Sequence, residues 1–493
     1  MIRPFNTFTY SLSAAVELLA AEKKNFVEIA FTGITHKDSE VLAGDIFVAV
    51  PGVKVHGAQY LESAQKNGAV AVLTDAAGAE LSSDLPTLIV KDVREAAATL
   101  ATSFYRSPIR DMESIAITGT NGKTTVTTLL FQIFRSVGRD AGLIGTVETR
   151  IGEDVVKSER TTPEAIELQA IAAAMREQHM RHCVMEVSSH ALDLKRMIGS
   201  HFAIAGFTNL SQDHLDYHKD MESYFAAKSK LFTHEYSDLA FINIDDSYGA
   251  RLAASVEIPV ISLSRQSTTA TWHYASFTHV PSGIEFTIRG KDGVLIESKT
   301  PMHGGFNLDN LLLAVAIAYE CGIDPLELAT LLPHISGAAG RLESISLGQS
   351  FAALVDYAHS PDAVENVLGA VREFTSGKVI AVLGCGGDRD SSKRPLMGRA
   401  LTDGADIAIF TSDNPRSENP TVILYQMVHG ISFNAPSRVI EDRAEAIKYA
   451  VSLAAPGDTV VVLGKGHETG QDIGGTIHEF DDRLILAREI EGL

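Results

Sequence analysis

One local order recurs along this 493-residue chain and limits what it can fold into: a short, continuously apolar segment, a loop rich in Gly, Asp, Asn or His, then a helical pattern. Ile115 to Thr118, Cys183 to Val187, Ala203 to Asn209 and Leu239 to Ile244 are such segments. Apolar runs without polar alternation belong to strands covered on both faces, so the order predicts a parallel sheet between helices, with ligands at the carboxyl ends of its strands. The pattern resets near Ser336-Gly337-Ala338-Ala339-Gly340 and resumes with Ala353 to Asp356, Val379 to Leu383, Ile407 to Thr411 and Thr459 to Leu463, which predicts a second α/β unit. Residues 1–110 mix short strands, Asp45 to Val50 and Ala69 to Leu73, with helical patterns near Tyr60 to Asn67 and Val93 to Tyr105, and the Ser107-Pro108 turn closes them off. The stretch from about 258 to 300 alternates instead, as in Gly283 to Ile288, and predicts antiparallel strands appended to the central unit before a helix at Leu311 to Glu320. The expected fold is α/β in three domains: a smaller N-terminal α/β domain over 1–110, a central, mostly parallel sheet domain with a phosphate loop over 111–335, and a C-terminal Rossmann-like α/β domain over 336–493.

Directly after the apolar run Ser114 to Thr118 stands Gly119-Thr120-Asn121-Gly122-Lys123-Thr124-Thr125. A strand entering a Gly-rich turn and then a helix beginning near Lys123 aims backbone N–H groups, the positive helix end and an ammonium at one point, which suits a nucleotide triphosphate. The spacing is shorter than G-x-x-x-x-G-K-[ST], because Ile117 stands five residues before Gly122. The G-x-x-G-K-T-T form is a narrower signal.

A net charge of −20 argues against a general nucleic-acid or anionic-membrane surface, so local Lys and Arg must hold any anionic substrate. Three scattered cysteines, Cys183, Cys321 and Cys385, form no C-x-x-C pair and fit a reducing compartment. The sequence has no apolar signal segment and no uninterrupted run of membrane-span length, so a cytoplasmic protein is expected.

Polar residues concentrate at the predicted strand ends. Glu186-Val187-Ser188-Ser189-His190 and Thr208 to His218 both fall on the phosphate-loop side of the sheet. A nucleotide triphosphate needs a divalent cation, and oxygen ligands from Thr124 and Glu186, with His214, suit magnesium. His214 and His218 have no H-E-x-x-H pattern or cysteine partner for zinc, and Ser188 and Ser189 lie outside any G-x-S-x-G elbow. Two glycine clusters, Gly384 to Arg389 and Gly464 to Thr469, break the dinucleotide fingerprint at its last glycine. With Asp413-Asn414-Pro415-Arg416 they offer guanidiniums and a carboxylate to an amino-acid-like ligand, since arginine forks hold carboxylates and Glu468 suits an ammonium.

Taken together, these residues resemble the Mur ligases of peptidoglycan synthesis, which share the Gly119 to Thr125 loop. Supporting stretches are Met185 to His190, Thr208 to His218, Phe306 to Asn310, Gly340-Arg341, Val355 to His359, Gly384 to Arg389, Lys393 to Pro395, Asp413 to Arg416 and Gly464 to Glu468. The resemblance implies an ATP-dependent ligase: a substrate carboxylate attacks the γ-phosphate, giving an acyl phosphate and ADP, and an amine then displaces phosphate to form an amide. It implies that Gly119, Thr120, Asn121, Gly122, Lys123, Thr124, Thr125, Asn310, Arg341 and Asp356 bind ATP, that Thr124, Glu186 and His214 serve Mg2+, and that His359 lies beside the nucleotide or intermediate. Lys228 matches a lysine that the family carbamylates, which turns an ammonium into an oxygen ligand. Lys123, Lys228, His214 and His359 are thus the catalytic candidates. For a UDP-N-acetylmuramoyl dipeptide the resemblance points to Thr161, Thr162, Ser188 and Arg196, with the N-terminal domain holding the uridine end. The chain departs from the family there: Lys37-Asp38-Ser39 stands where many relatives carry Asp-Ser-Arg, and Leu194 replaces a polar contact residue.

The acceptor amine is a separate question. meso-Diaminopimelate differs from lysine by one distal carboxylate, which is costly to bury without a paired donor. Asp413-Asn414-Pro415-Arg416 resembles the diaminopimelate form of the family motif, in which the arginine binds that carboxylate; Arg389, Asp413, Asn414, Pro415, Arg416, Gly464 and Glu468 are the acceptor candidates. The expected partners are UDP-N-acetylmuramoyl-L-alanyl-D-glutamate, ATP and meso-diaminopimelate, bound by a monomer without nucleic acid or membrane span. Three alternatives stand beside this. Arg416 opposes a lysine-adding relative, the C-terminal glycine loops oppose a folylpolyglutamate synthase-like ligase, and the joint presence of Lys123, Glu186, His214 and Lys228 opposes a nucleotide-binding regulator without turnover.

Overall fold

The computed structural model describes residues 2–493 except 53–54, 82–83 and 281. Its chain divides into two compact units, Met1–Ser264 and Arg265–Leu493. The first begins with a five-stranded sheet in the order Glu22–Lys24, Thr87–Ile89, Ala71–Thr74, Asp45–Val48, Gly33–Thr35, parallel except for the first pair. The helix Val93–Phe104 starts where the Asp92 carboxylate accepts the Glu95 N–H, and it buries Val93, Leu100 and Phe104 with Ile46, Val48 and Leu73 of the sheet.

A second sheet in this unit carries six parallel strands in the spatial order Ala141–Ile144, His182–Glu186, Glu113–Thr118, Phe202–Phe207, Ser237–Asn243, Val260–Ser264. The hairpin of Glu148–Ile151 and Asp154–Lys157 extends one edge antiparallel. Ile115 and Ile117 have no exposed surface, and burial of a side chain of that size contributes about 1.5–3 kcal/mol. Register sets Glu186 beside Ile117 and Phe207 beside Thr118, so the loops after three neighbouring strands open at one end of the sheet. Val260–Ser264 departs from the antiparallel pairing expected over 258–300. It runs parallel to Ser237–Asn243, because the helix Ser247–Ser255 first carries the chain back along the sheet.

The second unit opens with antiparallel strands Trp272–Val280, Gly283–Arg289 and Leu295–Thr300, followed by the helix Gly305–Glu320. Its six-stranded sheet runs Glu343–Ser344, Ala352–Asp356, Thr459–Leu463, Val379–Cys385, Ile407–Ser412, Arg438–Val439, parallel after the first pair. Side chains alternate across it: Ala381 and Leu383 pack with the helices Pro361–Phe374 and Lys393–Gly404, Ile380 and Val382 with Arg443–Leu453 and Asp482–Glu491. Arg443 and Asp482 form a bidentate pair at 2.6 and 2.7 Å with no exposed side-chain surface. A separate hairpin, Gly470–Ile473 with Thr476–Glu479, follows the last strand of the sheet. Among the described residues no helix is long and apolar enough to cross a membrane.

Candidate active site

The phosphate loop follows its strand directly. Gly119 has φ 147°, and a Cβ there would lie 1.8 Å from Thr208 Oγ1, so the close approach of the neighbouring strand end requires glycine. That neighbour pins the loop: Asn209 O accepts the Thr120 N–H at 2.8 Å, Asn209 Oδ1 accepts the Asn121 N–H at 3.0 Å, and Thr208 Oγ1 donates to Asn121 O at 2.6 Å. The helix Lys123–Ser136 begins directly after the loop, so its positive end faces it, and among the described residues no side chain caps that end. Lys123 Nζ donates to Gly119 O and Thr120 O, both at 2.9 Å.

Thr124 and Glu186 meet beside it. The fully buried Glu186 carboxylate accepts from Thr124 Oγ1 at 3.1 Å, from the Thr146 N–H at 2.8 Å and from Thr146 Oγ1 at 2.9 Å. Lys228 sits near the end of the helix Met221–Ser229, which Asp220 starts by accepting the Ser223 N–H. Its ammonium donates to Gly119 O at 2.7 Å, lies 4.7 Å from the Tyr224 ring centre and is 1% exposed. Burial, then the charge of Lys123, holds its pKa well below the ordinary lysine value. The loop oxygen Gly119 O thus gathers both candidate lysines. His214 stands apart from the oxygen pair: its exposed ring packs edge-on against His190 at 4.9 Å, and among the described residues no hydrogen bond joins it to Thr124 or Glu186.

Three of the candidate dipeptide residues form one patch at the same sheet end. Thr162 Oγ1 donates to Glu186 O at 2.9 Å and accepts the Ser188 N–H at 3.0 Å, while Arg196 donates to Thr162 O at 3.0 Å and pairs with Glu164 at 3.0 Å. Thr161 joins them through Thr146, whose hydroxyl is 3.0 Å away. A cavity of about 290 Å3 opens nearby, lined in part by Lys37, Glu40, Ser158, Glu159 and Arg160. In the segment that departs from the family pattern, Lys37 pairs with Glu159 at 2.9 Å and Glu167 at 3.0 Å, and Asp38 accepts from Ser63 Oγ at 2.7 Å.

In the second unit, Asp356 ends its strand with a buried carboxylate that accepts the Leu342 and Ala358 N–H groups at 2.7 and 2.8 Å. Burial pushes its pKa up, opposed by Arg341 and by those two bonds. Arg341 lies over the Tyr357 ring at 5.4 Å, and the exposed His359 ring packs edge-on against Tyr357 at 4.6 Å. Asn310 is buried on the helix Gly305–Glu320.

The acceptor candidates converge more tightly. Gly464 has φ 112°, and a Cβ there would lie 2.7 Å from Asp413 Oδ2. Asn414 Nδ2 donates to Glu468 Oε2 at 2.8 Å, and Arg416 donates from its guanidinium to Gly387 O at 2.6 Å. Buried Pro415 lies between them, and Arg389 is exposed at the end of its glycine cluster. Two further residues complete these clusters without a sequence signal: Thr146, which holds Glu186, and Tyr224, whose hydroxyl is 3.2 Å from Thr120 Oγ1; Lys465, inside the glycine cluster Gly464 to Thr469 but not itself singled out there, is buried between Asn414 and Glu468. A lysine between two glycines reads as solvated, and nothing in its neighbours marks its burial.

Comparison with known proteins gives matches along most of the chain. The Mur ligase middle domain matches residues 117–318, the glutamate ligase domain of Mur ligases 340–466, and the domain described as Mur ligase family, catalytic domain, 30–105. A Streptomyces coelicolor protein named UDP-N-acetylmuramoyl-L-alanyl-D-glutamate–2,6-diaminopimelate ligase is 48% identical over 469 residues, covering 93% of this chain and 92% of its own. A Corynebacterium glutamicum protein of the same name is 43% identical over 453 residues, 89% of this chain and 87% of its own. A solved structure of a ligase with this name superposes with TM-score 0.71 at 34% identity, covering 94% of this chain and 95% of that one. A folylpolyglutamate synthase from Mycobacterium tuberculosis shares the fold at TM-score 0.56 and 18% identity, over 75% of this chain and 92% of that one.

Proposed function

Because the chain belongs to the Mur ligase family, we propose that it joins meso-diaminopimelate to UDP-N-acetylmuramoyl-L-alanyl-D-glutamate, using ATP and releasing ADP and phosphate, as a cytoplasmic monomer. The observation that carries this reading is the meeting of Lys123 and Lys228 on Gly119 O, beside the Thr124–Glu186 oxygen pair, at the end of the phosphate-loop strand. Residues 1–110 bind the uridine end of the substrate, 111–335 bind ATP, and 336–493 bind the acceptor.

A carboxylate attacking a triphosphate brings like charges together, so the task of the site is neutralisation and alignment. Lys123 holds phosphate oxygens with the loop N–H groups and the helix end. Thr124 and Glu186 offer two adjacent hard oxygens, the donor chemistry that Mg2+ takes. When bound there, the ion spreads the negative charge of the phosphates, and His214 serves the same region. The substrate carboxylate oxygen bonds to the γ-phosphorus as ADP leaves, giving an acyl phosphate. The acceptor amine then bonds to the acyl carbon, phosphate leaves, and one proton is released. Lys228 acts as a carbamate: a neutral amine adds carbon dioxide and loses a proton, and the lowered pKa of Lys228 supplies that neutral amine. Thr161, Thr162, Ser188 and Arg196 hold the dipeptide, while Asn310, Arg341, Asp356 and His359 hold the nucleotide. At the acceptor, Arg416 pairs with the distal carboxylate and Glu468 with an ammonium, and Arg389, Asp413, Asn414, Pro415 and Gly464 shape the pocket.

ADP release with the UDP-muramoyl dipeptide and one acceptor at a time tests the reading. Turnover with meso-diaminopimelate and little with lysine is expected, and Arg416→Ala should raise KM for diaminopimelate far more than for ATP. Equal turnover with lysine would overturn the acceptor assignment, and none with either acceptor would favour a nucleotide-binding regulator.

A further inference from the structure

The acceptor loops contain a cation to which the reaction above gives no part. Lys465 has no exposed side-chain surface, although its partner Glu468 keeps 33%. Its ammonium donates to Gly470 O at 2.6 Å, Asn414 Oδ1 at 3.0 Å and Glu468 Oε2 at 3.1 Å, which uses all three of its N–H bonds. These contacts fix the Asn414 amide in one orientation. Its Oδ1 also accepts the Asp472 N–H at 3.0 Å, and its Nδ2 faces the Glu468 carboxylate; the flipped amide would set NH2 against an ammonium and an N–H. The chain of contacts continues to Arg416, whose N–H donates to Asp472 O at 2.9 Å and whose carbonyl accepts the Gly474 N–H at 2.7 Å. One buried ammonium therefore ties together the loop of Asn414 and Arg416, the Glu468 carboxylate and the hairpin strand Gly470–Ile473.

A buried ammonium is costly unless paired and hydrogen-bonded, and here two of its three partners are acceptor candidates. We propose that Lys465 is the positioning residue of the acceptor pocket: it sets the separation between the ammonium-binding Glu468 and the carboxylate-binding Arg416, and with it the preference for a diamino dicarboxylate over a diamino monocarboxylate. This rests on the acceptor reading given above. A dicarboxylate must satisfy both ends at once, whereas lysine uses only the ammonium contact, so loosening the pocket harms the dicarboxylate more.

The test compares wild type with Lys465→Met and Lys465→Gln. The methionine variant keeps most of the network satisfied, because Asn414 Oδ1 retains the Asp472 N–H and Glu468 Oε2 retains Asn414 Nδ2. KM for meso-diaminopimelate should rise about 30-fold in Lys465→Met, within the roughly 100-fold that a 1 Å misplacement can cost, with KM for ATP and for the UDP-dipeptide within about twofold and KM for lysine changed much less. Lys465→Gln keeps two N–H donors, should show a smaller rise in the same constant, and decides the matter if the methionine variant does not fold. An unchanged acceptor KM in folded variants, a fall in kcat with every KM unchanged, or loss of fold in both variants would overturn the proposal. Absence of turnover in the wild type with either acceptor would instead refute the proposed function, so the two failures are told apart.

Discussion

His303 lies 1% exposed in the second unit, its ring 4.8 Å from that of Phe374, and among the described residues neither ring nitrogen has a hydrogen-bond partner. Burial, then the neighbouring His279, pushes its pKa from 6.5 down to about 4. The folded state therefore resists the proton that the unfolded chain takes up. Stability from this source is fully present above pH 6.5 and is lost as the pH falls towards 4. Between pH 7 and pH 5 the two titrations differ by about 2 kcal/mol. His303→Leu removes that term while leaving His279 in place. Trp272 is the sole tryptophan, fully buried in the same unit, so its fluorescence during urea unfolding reports on the right part of the molecule. On acidification from pH 7 to pH 5 the wild-type midpoint should fall by about 1 M more than that of the variant, for an m-value near 2 kcal/mol per M. Equal shifts in the two proteins would refute the argument, because they would show that His303 is protonated as readily when folded as when unfolded.

Two further outcomes are expected. Gly119→Ala should weaken ATP binding by about 100-fold in calorimetric titration, since the new Cβ would displace Thr208 from the phosphate loop, and wild-type affinity would contradict the close approach. Arg443→Leu should lower the unfolding free energy of the second unit by about 3–5 kcal/mol by leaving the buried Asp482 carboxylate unpaired, and Asp482→Leu in the same protein should recover much of it; an additive loss in the double variant would show that the pair does not act as one.

The strands that the sequence announces include those whose apolar runs need no partner to be recognised: Asp45–Val48, Ala71–Thr74, Glu113–Thr118, His182–Glu186, Phe202–Phe207, Ser237–Asn243 and the four inner strands of the C-terminal sheet. Ala141–Ile144 escapes notice because Gly142 interrupts a run of four, and the following hairpin because it exposes Val155 and Val156. Val260–Ser264 reads as antiparallel because strand direction is set by the preceding helix, not by alternation within the strand. The phosphate loop is legible since its residues act together over seven positions. Thr146 is not, standing 40 residues before Glu186 and defined only by what it touches. Lys228 and Lys465 share a different difficulty: one ends a helix and the other sits between glycines, settings in which lysine is ordinarily solvated, and tertiary packing alone buries them.

Arg416 occupies the left-handed region at φ 51°, a conformation that disfavours residues with a Cβ by about 1–2 kcal/mol, Asn and Asp least, and that Gly, having no Cβ, adopts freely. The loop backbone would thus accept Asn or Gly more readily than the arginine it carries. A single replacement can therefore remove the guanidinium while relaxing the turn that carries it, so under the proposed reading the recognition of a second carboxylate is held at a cost in backbone strain.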